Sequence, residues 1–373
     1  MNVQLWHRPA TIERNNFKLK SLSCWSYNVA IGCAHKCRFC YVPEVSTNRM
    51  ATKLEAVGVT DPDSQWGDYV FPRTWDRQAF LASLRKAEAT PANELNADGN
   101  RAVMLCTTTD PYQTLRSATS HTSQSGHPIN TMVLDDWTKT EPVFDPNSQM
   151  TTLVREALEL ILTKSTLRVR LLTRSPLARR DFDLMKLFGE RLMFGMSLPT
   201  LNNQLARIYE PNAPAPSQRL DTLRRAQAEG IPVFVAVAPV YPECNYGDML
   251  NTLRAVQELN PVTVFMEPIN IRAENVARIE AHYHSLSALG GAATANMAVA
   301  PIKLNTAVFA TKESWAKYAF EQMDLFQQAA REIGISPNVL HLWPDKSLER
   351  LATGPQKAWL HQHWNKISAW PTI

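Results

Sequence analysis

The chain has 373 residues, 45% of them apolar and 20% charged, with ten tryptophans and a formal net charge of +4. A chain of this size buries a sizeable core without disulfide or metal staples, as one large barrel-type domain or two ordinary ones. Its composition excludes an intrinsically disordered chain, no stretch approaches the roughly 18 uninterrupted apolar residues of a membrane span, and the charge is too small to demand an anionic partner.

The first residues, Met1 to Pro9, lack the apolar core of a signal peptide, so a cytoplasmic location without disulfides is expected. The first apolar run rich in β-branched and aromatic residues, Cys24–Val29, reads as a buried strand. Cys33, Cys37 and Cys40 follow it on a polar loop, while Cys24, Cys106 and Cys244 stand apart. A helical pattern at Asp76–Ala89 leads to the second strand, Arg101–Thr107. Asp110-Pro111 then reads as a helix start, with Asp110 as N-cap and Pro111 in the first turn. The polar segment 114–147, with Gly126-His127-Pro128 and Asp135-Asp136-Trp137, is a lid over the substrate or a surface insertion. Beyond it come a helix at Thr152–Lys164, strands at Arg168–Thr173 and Arg191–Ser197, and a helix at Ser217–Glu229 stopped by Gly230. A strand at Pro232–Ala238, a helix at Tyr246–Leu259 and a sixth strand at Val262–Met266 complete the series. The domain expectation is a barrel-type unit over 1–272 and a helical extension over 273–373 packed on it, with Trp343, Trp359, Trp364 and Trp370 in its tail.

Strand and helix alternating six times argues for an α/β protein with a parallel sheet, either open and doubly wound or curved into an incomplete barrel. Both arrangements put ligand chemistry at the carboxyl ends of the strands, where the cysteine loop falls. Three thiolates at spacings of four and three residues can converge on one centre, and a four-iron cluster held by three protein ligands keeps one iron open. A zinc site completed by His35 or a distant cysteine is the alternative, although no second knuckle of ligands is present in the sequence.

Cys33-x3-Cys37-x2-Cys40, with Phe39 and Tyr41 beside the last cysteine, resembles the signature of radical S-adenosylmethionine (radical SAM) enzymes. The resemblance implies a curved partial (β/α)6 barrel and a 4Fe-4S cluster, bound by Cys33, Cys37 and Cys40, whose fourth iron holds S-adenosylmethionine. It further implies reductive cleavage to a 5′-deoxyadenosyl radical that abstracts a hydrogen atom from substrate, and a low-potential electron donor such as flavodoxin or ferredoxin.

Thr109-Asp110-Pro111-Tyr112-Gln113, Leu172–Leu177 with Arg180-Asp181, and Tyr209-Glu210-Pro211 leading to Arg219-Leu220 resemble the spore photoproduct lyase-like branch of that family. By that resemblance Thr109, Asp110, Tyr112, Ser175, Ser197, Glu210 and Arg219 contact S-adenosylmethionine or hold its pocket. Strand-end capping by Ser175 and Ser197, and a structural Glu210–Arg219 ion pair, are the plainer alternatives. Cys106 and Tyr41 are the candidate catalytic residues, Cys106 as hydrogen donor to a product radical. Cys106 stands one residue further from Asp110 than the family pattern places its cysteine, which turns it toward the helices unless a bulge restores it. The branch implies a damaged or modified nucleic acid as substrate, with a small molecule or peptide as the alternative and a non-catalytic metal-binding protein as the remaining one. Arg168, Arg170, Arg174, Arg179 and Arg180 offer themselves to phosphates or carboxylates.

Overall fold

The apolar runs fold into a parallel sheet because parallel strands, covered on both faces, tolerate no polar alternation. The computed structural model describes residues 1–15, 22–95, 101–115, 144–272, 274–288, 303–366 and 370. Its first six strands are β1 (Asn2–Val3), β2 (Trp6–Pro9), β3 (Ile12–Arg14), β4 (Trp25–Tyr27), β5 (Ala30–Gly32) and β6 (Tyr69–Thr74). They are followed by β7 (Ala102–Leu105), β8 (Arg168–Thr173), β9 (Leu192–Ser197), β10 (Val233–Val240), β11 (Thr263–Pro268) and β12 (Leu340–Leu342).

Eight strands form the main sheet in the order β12-β11-β10-β9-β8-β7-β4-β3. Every neighbouring pair from β4 to β12 is parallel, and β3 alone runs antiparallel, on the edge beside β4. From β4 onward each strand is laid beside its predecessor, so the order never reverses and the switch point of an open doubly wound sheet is missing from the described strands.

The six expected strands are β4 and β7 to β11, trimmed or extended by a residue or two at their ends. Three features differ from expectation. A small second sheet of β1, β6 and β2, with β5 antiparallel to β6, takes the chain out of the main sheet before the cysteine loop. A seventh parallel strand, β12, joins β11 at the far edge. Asp110-Pro111 forms a turn in place of a helix start: Asp110 Oδ1 accepts the Tyr112 N–H at 2.8 Å, and the next described helix is Pro146–Lys164, capped by Asp145. Gly230 does end its helix, Pro216–Ala228, at φ +76°, with Ile231 N–H donating to the Ala226 carbonyl.

One face of the main sheet carries a compact cluster of Ala102, Met104, Met193, Phe234 and Phe265, joined by Leu22 and by Trp370 from the tail. Gly195 belongs to this face because a Cβ there would lie 2.4 Å from the Phe234 ring. Arg170, fully buried, sets its guanidinium against the rings of Phe234, Phe265 and Trp370 at 5.3–5.8 Å.

Candidate active site

The cysteine loop is built by what holds its backbone. β5 ends at Gly32, where φ is +84° and a Cβ would lie 2.3 Å from the Tyr69 carbonyl, so only glycine lets the chain turn here. Thr109 Oγ1 donates to the Gly32 carbonyl at 2.6 Å, and Gln113 accepts the Ala34 N–H while donating to Thr109. Arg38 N–H donates to the Tyr209 carbonyl at 2.9 Å, and Asn212 takes up the carbonyls of Ala34 and His35. From the helix Asn275–Ala288, Asn275 donates to the Phe39 carbonyl at 3.1 Å and Arg278 to the Cys40 carbonyl, with Arg278 paired to buried Asp63. The loop is thereby fixed by groups from the turn after β7, from the chain near Tyr209, and from a helix more than two hundred residues away.

Cys33, Cys37 and Cys40 all line one cleft, about 1200 Å³ with the open solvent at its mouth included, at the carboxyl ends of the parallel strands. Thr107, Thr108, Thr109 and Asp110 line it after β7, Leu172 to Arg174 at β8, Ser197 at β9, Ala238 and Pro239 at β10, and Glu267 to Asn270 at β11. Leu22 and Trp343, from opposite edges of the sheet, face the same space. Burial pushes the Cys33 thiol up to about 12, with Asp110 and Cys40 adding to the effect, and burial likewise raises Cys37 and Cys40. Metal-free, the three are protonated thiols, and a metal must displace their protons. The described residues contain no group of three or more His, Cys, Asp or Glu gathered for a single ion. A cluster asks for something else, since each thiolate binds its own iron and the sulfurs stand apart around it. His35, the ligand of the zinc alternative, has its Nε2 3.1 Å from Asp110 Oδ2.

Of the other expected site residues, Tyr41, Cys106, Thr109, Asp110 and Ser197 line the cleft. Four do not. Tyr112 is buried with its hydroxyl donating to Asp181 at 3.0 Å. Ser175 caps the turn that follows β8 by accepting the Leu177 N–H. Glu210 and Arg219 form a fully buried ion pair behind the wall, where Glu210 also takes Arg174 Nε at 2.7 Å and Arg219 donates to the Ser197 carbonyl at 3.0 Å. Both therefore support cleft residues without facing the cleft. Cys106, expected to turn toward the helices, lines the cleft instead. β7 ends at Leu105, so its alternation does not fix Cys106, which packs in the main core cluster and also borders the cleft. Burial raises its thiol well above the ordinary range.

Several cleft residues escaped the sequence reading. Arg174, which lies over the Phe39 ring at 5.6 Å, counts in the sequence only as one of five arginines for phosphates or carboxylates and not as a residue of the cleft. Glu267 and Asn270, linked at 2.6 Å, follow the sixth strand, where a polar pair at a strand's carboxyl end was a usable signal. The arginines of 168–180 make no phosphate-facing row: Arg168 and Arg170 lie against Trp370, Arg174 against Glu210, Arg179 against Asp221, and Arg180 over Tyr112.

No protein-family model matches the chain. It is 28% identical over 261 residues to an uncharacterized protein of Acidianus two-tailed virus, covering 69% of this chain and 70% of that one. It is 28% identical over 123 residues to an uncharacterized protein of Methanocaldococcus jannaschii, covering 32% of this chain and 44% of that one. Among solved structures, a cysteine-to-serine variant of spore photoproduct lyase superposes with a TM-score of 0.55 at 13% identity, over 92% of this chain and 82% of that one. Spore photoproduct lyase complexed with dinucleoside spore photoproduct gives 0.54, 13%, 92% and 82%. A double variant with bound AdoMet and dinucleoside spore photoproduct gives 0.52, 14%, 91% and 80%. The architecture is thus a mixed α/β fold with a large parallel sheet. Spore photoproduct lyase is a solved structure to which this fold is similar.

Proposed function

We propose that the chain is a radical SAM enzyme, its sheet an incomplete six-unit barrel and its cleft the seat of a 4Fe-4S cluster on Cys33, Cys37 and Cys40. The observation that carries this reading is that all three cysteines of one backbone-clamped loop line a single cleft at the strands' carboxyl ends. The donor set fits: three soft sulfur ligands suit the iron of a cluster. When bound, the cluster and S-adenosylmethionine supply a 5′-deoxyadenosyl radical that removes a hydrogen atom from substrate. Arg174, fixed through Nε to Glu210, presents the rest of its guanidinium fork to the cleft, a match for a carboxylate. Asp110 holds the turn after β7 against β8, and Cys106 offers an S–H bond inside the same cleft as hydrogen donor to a substrate radical.

A damaged or modified nucleic acid is the substrate class suggested by the fold's neighbours, which bind a dinucleoside photoproduct. Commitment of Arg168, Arg170, Arg179 and Arg180 to partners within the chain favours the second reading, a small molecule or peptide. Segment 114–147 is proposed to select the substrate. Its two ends are pinned by the Leu115 N–H donating to Asn147 Oδ1 at 2.8 Å and Asn147 Nδ2 donating to the Leu115 carbonyl at 2.9 Å, while 116–143 lie outside the described residues. Residues 273–373 are read as an extension that packs on the barrel and adds β12 to the edge of its sheet, and a cytoplasmic low-potential flavodoxin or ferredoxin as the reductant. No described helix is long and apolar enough to cross a membrane.

The test is anaerobic reconstitution with iron and sulfide, followed by reduction in the presence of S-adenosylmethionine. Formation of 5′-deoxyadenosine is expected; a reconstituted, reducible protein that forms none contradicts the reading. Salt-dependent oligonucleotide binding then supports the nucleic-acid substrate, and salt-insensitive activity on a neutral metabolite supports the small molecule.

A further inference from the structure

Glu267 and Trp343 are brought side by side in the cleft by the register of β11 and β12. Phe265 pairs with His341 and Met266 with Leu342 in a parallel ladder, which the Trp343 N–H extends by donating to the Met266 carbonyl at 2.9 Å. Side chains alternate along each strand, so Glu267 and Trp343 are the next neighbours on the face that carries Phe265, and both line the cleft. The indole lies on the Phe265 ring at 3.9 Å and 25°, and its part-exposed remainder is turned to the cleft. Asn270 Nδ2 donates to Glu267 Oε1 at 2.6 Å and so orients the carboxylate. A carboxylate has about four acceptor positions, so holding Asn270 does not exhaust it. Beside the pair, β10 contributes Ala236, Ala238 and Pro239, none with a charged or hydrogen-bonding side chain. Asp110, the other carboxylate that the described residues bring to the cleft, is taken up by Tyr112, Thr173, Arg174 and His35. The pair also abuts the cysteine loop, because Asn275 Nδ2 donates both to the Phe39 carbonyl at 3.1 Å and to the Asn270 carbonyl at 2.5 Å. A buried carboxylate beside an aromatic ring is a pairing that recognises an organic cation: the carboxylate accepts its N–H donors, and both groups attract its charge. The same carboxylate repels a phosphate brought against it.

We propose that Glu267 and Trp343 form a cation subsite that selects a substrate carrying an ammonium or guanidinium group on an apolar body. The inference rests on the proposed reading of the cleft as the active site, and narrows its substrate to an amine-bearing or guanidinium-bearing small molecule or peptide. S-adenosylmethionine is itself a sulfonium cation, so the test has to separate substrate from cofactor.

The experiment is isothermal titration calorimetry of the reconstituted protein saturated with S-adenosylmethionine, on the parent, Glu267→Gln and Trp343→Leu. The probe is benzylammonium, and benzyl alcohol is its uncharged counterpart. The parent should bind benzylammonium about tenfold more tightly than benzyl alcohol, and each variant should lose about tenfold in benzylammonium affinity. Affinity for S-adenosylmethionine, titrated separately, should stay within about twofold of the parent in Glu267→Gln, whose amide oxygen still accepts from Asn270. A parent that binds benzylammonium no better than benzyl alcohol overturns the proposal, as does a Glu267→Gln variant within about twofold of the parent. A loss of S-adenosylmethionine affinity alone would assign the cation to the cofactor's sulfonium, and also overturns it. Trp343→Leu leaves the carboxylate in place and decides the question where Glu267→Gln does not fold; unchanged benzylammonium binding in it overturns the proposal. Failure of the parent to take up iron instead removes the cluster assignment, and the same titrations on the metal-free protein then still accept or reject the cation subsite.

Discussion

Asp110 is the group on which the cleft wall turns, and its replacement by alanine has a cost that can be worked from its contacts. Oδ1 accepts the Tyr112 N–H at 2.8 Å and the Thr173 hydroxyl at 2.7 Å; Oδ2 accepts the Arg174 N–H at 2.8 Å and lies 3.1 Å from His35 Nε2. Burial alone would raise the carboxyl's pKa, but His35 and the two backbone N–H groups outweigh it and hold it from 3.8 down to about 2. That preference for the charged form is worth roughly 2 kcal/mol. Asp110→Ala strands three donors, at about 1–3 kcal/mol each before any relaxation; the Tyr112 and Arg174 hydrogen bonds are already part of that pKa preference, so the two figures overlap and a total on the order of 4 kcal/mol is expected. Asp110→Asn keeps the shape but turns an amide N–H toward donors, and should lose about half as much. Urea unfolding of the metal-free protein, followed by tryptophan fluorescence and circular dichroism with the slope held to the parent's value, measures both. An Asp110→Ala variant within about 1 kcal/mol of the parent would refute the reasoning, because a carboxylate with these partners cannot be removed so cheaply.

Glu210 should shape the acid limb of stability. Burial would raise its pKa, yet Arg219 and Arg174 hold it below the ordinary 4.5, so its contribution is complete above pH 4.5 and is lost as pH falls through the lower folded value. Glu210→Gln should cost on the order of 3 kcal/mol at pH 7 by leaving two guanidiniums unpaired, and flatten this acid loss; unfolding curves parallel to the parent's from pH 7 to 3 would contradict it. Cys106→Ala should leave iron content and 5′-deoxyadenosine formation intact, lose only about 1 kcal/mol of packing, and divert the product; the parent's product at the parent's rate would exclude Cys106 as hydrogen donor.

Much of the main sheet was legible because buried parallel strands are written as continuous apolar runs, as in the fully buried Leu192–Ser197 and Thr263–Pro268. What escaped was short or disguised. β12 is Leu-His-Leu, too brief for any periodicity, and β6 carries Pro72 inside a strand. β5 reads as the continuation of β4, since nothing local says that Ala30–Gly32 pairs with a segment some forty residues later. At the site, the cysteines were legible from spacing alone. Tyr112, Glu210 and Arg219 do not face the cleft, because side-chain direction depends on which neighbour offers a partner: Asp181 for Tyr112, Ser197 and Pro214 for Arg219; Glu210 and Arg219 brace the cleft residues Arg174 and Ser197 from behind. Asn275 and Arg278 were invisible for the same reason, their partners being loop carbonyls far away in sequence.

Iron and sulfide content of anaerobically purified and reconstituted protein, compared with the variant carrying Cys33→Ala, Cys37→Ala and Cys40→Ala together, tests the cluster assignment most directly. The parent should hold about four irons with a broad visible absorbance, and the folded triple variant none. A triple variant that keeps the parent's iron and absorbance, or a parent that binds zinc in place of iron, would contradict the assignment.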